Sequence, residues 1–283
     1  MPKVKSNKLK PSVPKHERIR VVPLYQPKVK VDLRKLTDKE KDDPNDIFDP
    51  NHATQAPANS KLVYQGGVLL PNVEVFTIFW GKQYATGGAL ADYPAKLNTF
   101  FDTILQSTLM DQMAEYNTPK YSFGKGTRTG TITITAGAPK KGITDSAIQT
   151  QIKVWLAGNK AFPQPGKNTL YFLYLESGVT VTMGGSKSCS SFCGYHNNIG
   201  NSTFYAVMPY PSCSGCLGGK NPFDALTGTS THELCEAITD AIPGTGWYDT
   251  NNGEIGDICA WQFKQLNGYN VQLEWSNKAK QCI

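Results

Sequence analysis

Three runs of β-branched and aromatic residues, Val73–Trp80, Leu170–Leu175 and Thr203–Met208, constrain the fold of this chain more than any other feature. Apolar residues at successive positions over such short lengths are the pattern of a buried strand. A further strand is expected over Thr131–Thr135. Between the strands the period changes. Leu90, Tyr93, Leu97, Phe100, Phe101, Ile104 and Leu105 recur at helical spacing. Ala147, Ile148, Ile152, Trp155 and Leu156 do so again after Thr144 or Asp145, either of which can cap a helix. Strands alternating with helices predict the α/β class: one domain over residues 61–283, with a central mixed sheet flanked by helices. Hydrophobic residues make up 39% of the chain and aromatics 11%, enough for a sizeable core.

A metallopeptidase-like motif helix is expected late in the chain, after the loop from Cys213 to Asn221. Over Thr231–Asp240, at roughly 100° per residue with His232 as zero, Glu236 falls near 40°, Asp240 near 80° and Glu233 near 100°. Leu234, Cys235, Ile238 and Thr231 fall at roughly 200° to 300°, so one face carries chemistry and the other is core. A His-Glu pair with a second ligand four residues after the His is the layout of a zinc-peptidase helix. Here the fifth residue is Glu236 rather than a second His, a harder donor set that also suits calcium or manganese. The plain alternative is an amphipathic helix with a solvated acidic face. Downstream, Asp249, Glu254 and Asp257 crowd between glycines, with Glu254 placed as a third ligand and Asp257 as its substitute. Asp249–Gly253 has the look of a calcium loop without the full spacing, and reads equally as a turn.

His232-Glu233-Leu234 through Thr239-Asp240, then Gly246-Trp247-Tyr248 and Glu254-Ile255-Gly256-Asp257-Ile258-Cys259, together resemble the EXORDIUM, or phosphate-induced, protein family of plants and its bacterial and fungal relatives. Cys189-x-x-x-Cys193-Gly194-Tyr195-His196 and Cys213-x-x-Cys216 are similar to that family's cysteine pattern, and the resemblance runs from about Leu62 to the C-terminus. It implies a secreted or cell-wall-associated protein and names a family more firmly than a reaction. This chain retains the His232-Glu233 pair.

Charge and cysteines divide the chain. Met1–Lys35 holds eleven basic and two acidic residues, whereas the whole chain has 29 and 23. Residues 1–60 therefore read as a basic, proline-rich flexible arm and linker, able to touch an anionic polymer, with no specific nucleic-acid recognition expected. No apolar run marks a secretory signal peptide or a transmembrane segment. All seven cysteines follow residue 188. Cys189, Cys193, Cys213 and Cys216 suit either disulfides or a four-thiolate zinc site, and disulfides accord with the extracellular location that the resemblance implies. Cys259 and Cys282 form the natural third pair, leaving Cys235 as a buried thiol.

These features read as a metal-dependent hydrolase, a zinc endopeptidase acting on protein or peptide substrates. His232, Glu236 and one of Asp240, Glu254 or Asp257 hold the ion, zinc first and calcium second, with Glu233 as general base. Trp247 and Trp261 flank the carboxylate loop and can line a substrate groove, and His196 is a further ligand or acid if a disulfide brings it near. The alternative is a non-catalytic secreted or cell-wall-associated binding or signalling protein that uses the same residues as a structural metal or polar site. A thiol enzyme using Cys235 and His232 is a third reading, though residues three apart on one helix need another base.

Overall fold

The computed structural model describes residues 21–25, 56, 57 and 59–283. The rest of the segment read as an arm lies outside the described residues. Five strands form the central sheet: β1 (Glu74–Trp80), β2 (Thr127–Ile134), β3 (Thr169–Leu175), β4 (Tyr195–Ile199) and β5 (Thr203–Met208), in the order β2-β1-β3-β5-β4. The first four in that order run parallel, and β4 closes the edge antiparallel to β5. The mixed α/β architecture expected from the sequence is therefore present.

Helix α1 (Tyr93–Ile104) connects β1 to β2, and α2 (Asp145–Gly158) connects β2 to β3. Each takes the chain between parallel strands, α2 crossing over β1 to do so, which a tight turn cannot achieve. Thr144 caps α2 by accepting from the Ala147 N–H. The two helices lie on opposite faces, and the alternating side chains of each strand supply both. Val75, Phe79, Leu170, Phe172 and Tyr174 pack with Leu97, Phe100 and Phe101 of α1, while Phe76, Ile78, Tyr171, Leu173 and Tyr205 pack with Ile148, Ile152 and Trp155 of α2. Covered on both sides, these strands are apolar at nearly every position.

The motif helix is α3 (Pro222–Thr239), started by Pro222 and by Asn221, whose side chain accepts from the Asp224 N–H. Leu226, Leu234 and Ile238 join the α1 side of the core. Its outer face is not solvated. A hairpin of β6 (Phe263–Leu266) and β7 (Tyr269–Gln272) closes over it. Asn270 O accepts from Thr227 Oγ1 at 2.8 Å, and the Gln272 N–H reaches Thr231 Oγ1 at 2.9 Å. Gly228 permits the approach, since a Cβ there would lie 2.6 Å from the Phe263 ring. Sheet below and hairpin above leave every residue from Ala225 to Thr239 buried, which removes the solvated-face alternative.

Disulfide bonds join Cys189 to Cys213, Cys193 to Cys216 and Cys259 to Cys282, and Cys235 is the free, buried cysteine. The first four thiols therefore pair crosswise rather than forming a zinc site. Residues 21–25, counted with the arm by composition, are seated on the domain. The Val22 N–H donates to Gly194 O and the Cys193 N–H donates to Val22 O. Trp261 Nε1 donates to Pro23 O at 2.9 Å, and Val22 is buried.

Candidate metal centre

Two histidines and four carboxylates with at most 1% exposure meet between α3, β4 and the loop after α3: His196, His232, Glu233, Glu236, Asp240 and Glu254. Strand alternation explains His196. Tyr195 and Asn197 point to the α2 face, where both donate to the Asp145 carboxylate, so His196 between them faces α3. On α3, His232 and Glu236 stand one turn apart with Nε2 and Oε1 separated by 2.9 Å. Asp257 Oδ1 lies 4.0 Å from the same Nε2. Gly256 brings the loop in, since a Cβ there would stand 2.9 Å from the imidazole of His232.

Each imidazole has one nitrogen tied to a neutral amide and the other turned to carboxylates. Gln272 Nε2 donates to Gly256 O at 3.0 Å and Gln272 Oε1 accepts from the Trp261 N–H, which fixes that side chain beside His232 Nδ1. Gln272 Nε2 and Oε1 lie 2.9 and 3.1 Å from Nδ1, so this amide anchors that nitrogen and Nε2 faces Glu236 and Asp257. His196 Nε2 lies 3.1 Å from the backbone oxygen of Asp240, while Nδ1 faces Glu233 Oε2 at 3.1 Å and Glu236 Oε2 at 3.5 Å. Metal-binding histidines are held by such an anchor on the far ring nitrogen, which leaves the near nitrogen facing the ion.

Two groups of donor atoms can hold a cation: His232, Glu236 and Asp257, and His196, Glu233 and Glu236, each with its ligand atoms within 4.8 Å of one another. Zinc takes nitrogen and oxygen at about 2.0–2.2 Å in a tetrahedron, which places adjacent donors about 3.4 Å apart. The observed 2.9 to 4.0 Å separations bracket that value. Glu233 Oε1, Glu236 Oε2 and both oxygens of Glu254 have no hydrogen-bond partner among the described residues. Buried carboxylates left so are costly without a counter-ion, so the donor set fits a divalent cation.

The electrostatics carry the same strain. Burial opposes a charge on His232 and His196, but the carboxylates of Glu233 and Glu236 outweigh it, raising His232 well above its ordinary value and His196 to about 10. Burial raises Glu233 and, helped by Glu236, Asp240 and Asp257, pushes Glu254 well above the carboxylate range. Glu236 is held low, at about 2: burial works against its charge, and His232 and His196 overcome it.

Not every residue proposed from the motif joins one of the two donor groups. Asp240 leaves the helix at φ −151°, and its carboxylate accepts the N–H groups of Gly244, Thr245 and Gly246, capping the next turn. Glu254 lies on the far side of His196, with Oε1 3.5 Å from Nε2. Asp257 rather than Glu254 stands beside His232. Asp249 accepts from the Asn251 and Asn252 N–H groups and from Lys61, an Asx turn. Trp247 donates to Tyr116 O and packs on that ring, and Trp261 packs on Tyr25 and Phe263. Burial, then Glu274, pushes the Cys235 thiol up, the wrong direction for a nucleophilic thiolate. Gln272 and Glu274 went unread in the sequence, and Glu274 is buried with neither oxygen hydrogen-bonded among the described residues. Their one signal is polar residues alternating with Val271, Leu273 and Trp275.

Comparison with family models, with curated proteins and with solved structures finds no match in any of the three. The three disulfides are compatible with an extracellular protein, and no helix among the described residues is long and apolar enough to cross a membrane.

Proposed function

We propose that this chain is a secreted metal-dependent hydrolase of the zinc endopeptidase type, with His232, Glu236 and Asp257 as ligands and Glu233 as general base. The observation that carries the proposal is the pairing of an anchored imidazole with two carboxylates, His232 Nε2 lying 2.9 Å from Glu236 Oε1 and 4.0 Å from Asp257 Oδ1. Imidazole donors favour zinc over calcium, which takes oxygen. A bound zinc supplies a water whose pKa falls to about 7 and polarises a carbonyl. Glu233, one residue from the first ligand and with Oε1 unpartnered among the described residues, accepts the proton of the attacking water and returns it to the leaving amine. Disulfides, the retained His-Glu pair and the EXORDIUM resemblance support a secreted or cell-wall setting.

Complete burial of His232, Glu233 and Glu236 favours a second reading, a non-catalytic binding or signalling protein stapled internally by the same metal. A peptide library incubated with metal-loaded, chelated and reloaded protein separates the two. Cleavage that disappears on chelation, returns with zinc and is absent from Glu233→Gln supports the hydrolase. Stoichiometric metal with no cleavage by any form of the protein overturns it in favour of the structural site.

A further inference from the structure

A one-ion site built on His232, Glu236 and Asp257 leaves the His196 side of the centre unused. Nothing about a single site at His232 requires a second buried imidazole with its Nδ1 turned to carboxylates and its Nε2 anchored to a backbone oxygen. Glu236 stands between the two rings, Oε1 on the His232 side at 2.9 Å and Oε2 on the His196 side at 3.5 Å. Oε2 and Glu233 Oε1 have no hydrogen-bond partner among the described residues, and both side chains are 0% exposed. We propose that the centre binds two divalent cations bridged by Glu236, the second held by His196, Glu233 and Glu236.

Charge supports two ions. Glu233, Glu236, Glu254 and Asp257 bring four carboxylates within 4.0 Å of the two imidazoles. With the carboxylates ionised and the imidazoles neutral as ligands, one divalent ion leaves two negative charges in a largely buried volume. A second balances them, and Asp240 beside the site is already held by three N–H donors. A carboxylate with one oxygen toward each of two imidazole sites is also the geometry of a bridging ligand. The proposal rests on the metal-dependent reading above and changes one role within it, because Glu233 becomes a ligand and water activation passes to the pair of ions.

The test is metal stoichiometry on the full chain, stripped with chelator and dialysed against zinc, with the fold checked by circular dichroism. Wild type is expected to hold two equivalents, and His196→Ala and Glu233→Gln one each. Wild type saturating at one equivalent, with both variants unchanged at one, overturns the second ion and leaves the hydrolase reading standing. Wild type holding no metal removes both. Manganese loading of the wild type requires no variant to fold: an exchange-coupled pair spectrum by electron paramagnetic resonance is expected. An isolated six-line signal at saturation overturns the proposal.

Discussion

Gly256→Ala tests the centre with a single methyl group. Gly256 has φ −79° and ψ −37°, ordinary right-handed backbone, so alanine fits the main chain without strain and the whole effect must come from Cβ. That atom would lie 2.9 Å from His232 Cγ and Nδ1 and 3.0 Å from Glu236 Oε1. Carbon contacts relax near 3.5–4.0 Å, so the overlap is about 0.6–1 Å. The imidazole cannot retreat easily, because Gln272 stands behind it and is tied to Gly256 O. Overpacking of this kind costs about 1–3 kcal/mol. In a domain of this size that is about 2–12 °C in thermal midpoint. Zinc affinity should fall about 10- to 100-fold, as when a support of a metal-binding histidine is lost. Calorimetry on chelated protein reads the first quantity and a competition titration with zinc reads the second. Gly158→Ala, where a Cβ meets nothing within 4 Å, is the control. A Gly256→Ala protein with wild-type midpoint and zinc affinity within twofold of wild type would refute the packing of the loop on His232.

In the metal-free protein, stability should depend on pH from both sides. His196 is raised from 6.5 to about 10, so the stability it contributes is complete below pH 6.5 and lost as pH climbs toward 10. Glu236 is lowered from 4.5 to about 2, so its contribution is present above pH 4.5 and lost as pH falls toward 2. Thermal midpoints of chelated protein should therefore peak between those limits, and bound zinc should remove the alkaline fall; a profile flat from pH 6.5 to 10 without metal contradicts the coupling. Val22→Ala should lower the midpoint through loss of about 1–2 kcal/mol of burial, and an unchanged midpoint would mean that residues 21–25 do not hold the domain.

Much of the architecture could be read along the chain, because its causes are local. Strands covered on both faces must be apolar throughout, so Val73–Trp80, Leu170–Leu175 and Thr203–Met208 announced β1, β3 and β5. Helical period placed α1 and α2, and the angular spacing of His232, Glu233 and Glu236 put them on one face of α3 before any packing was known. Cys259 and Cys282 paired as expected.

What the face of α3 meets was a tertiary decision. The short edge strand carrying His196 has no strong apolar signature, and only its register against β5 aims that ring at Glu233 and Glu236. Gln272 arrives from 40 residues downstream on a hairpin whose closure also turns a solvated acidic face into a buried one. Asp240 shared the helix angle of His232 and Glu236 yet went elsewhere, because a carboxylate at a helix end has the backbone N–H groups of Gly244, Thr245 and Gly246 within reach. Local spacing determines which side chains share a surface. Whether that surface is wetted, capped or turned into a metal centre depends on which distant backbone closes over it, and that is decided by packing across the whole chain.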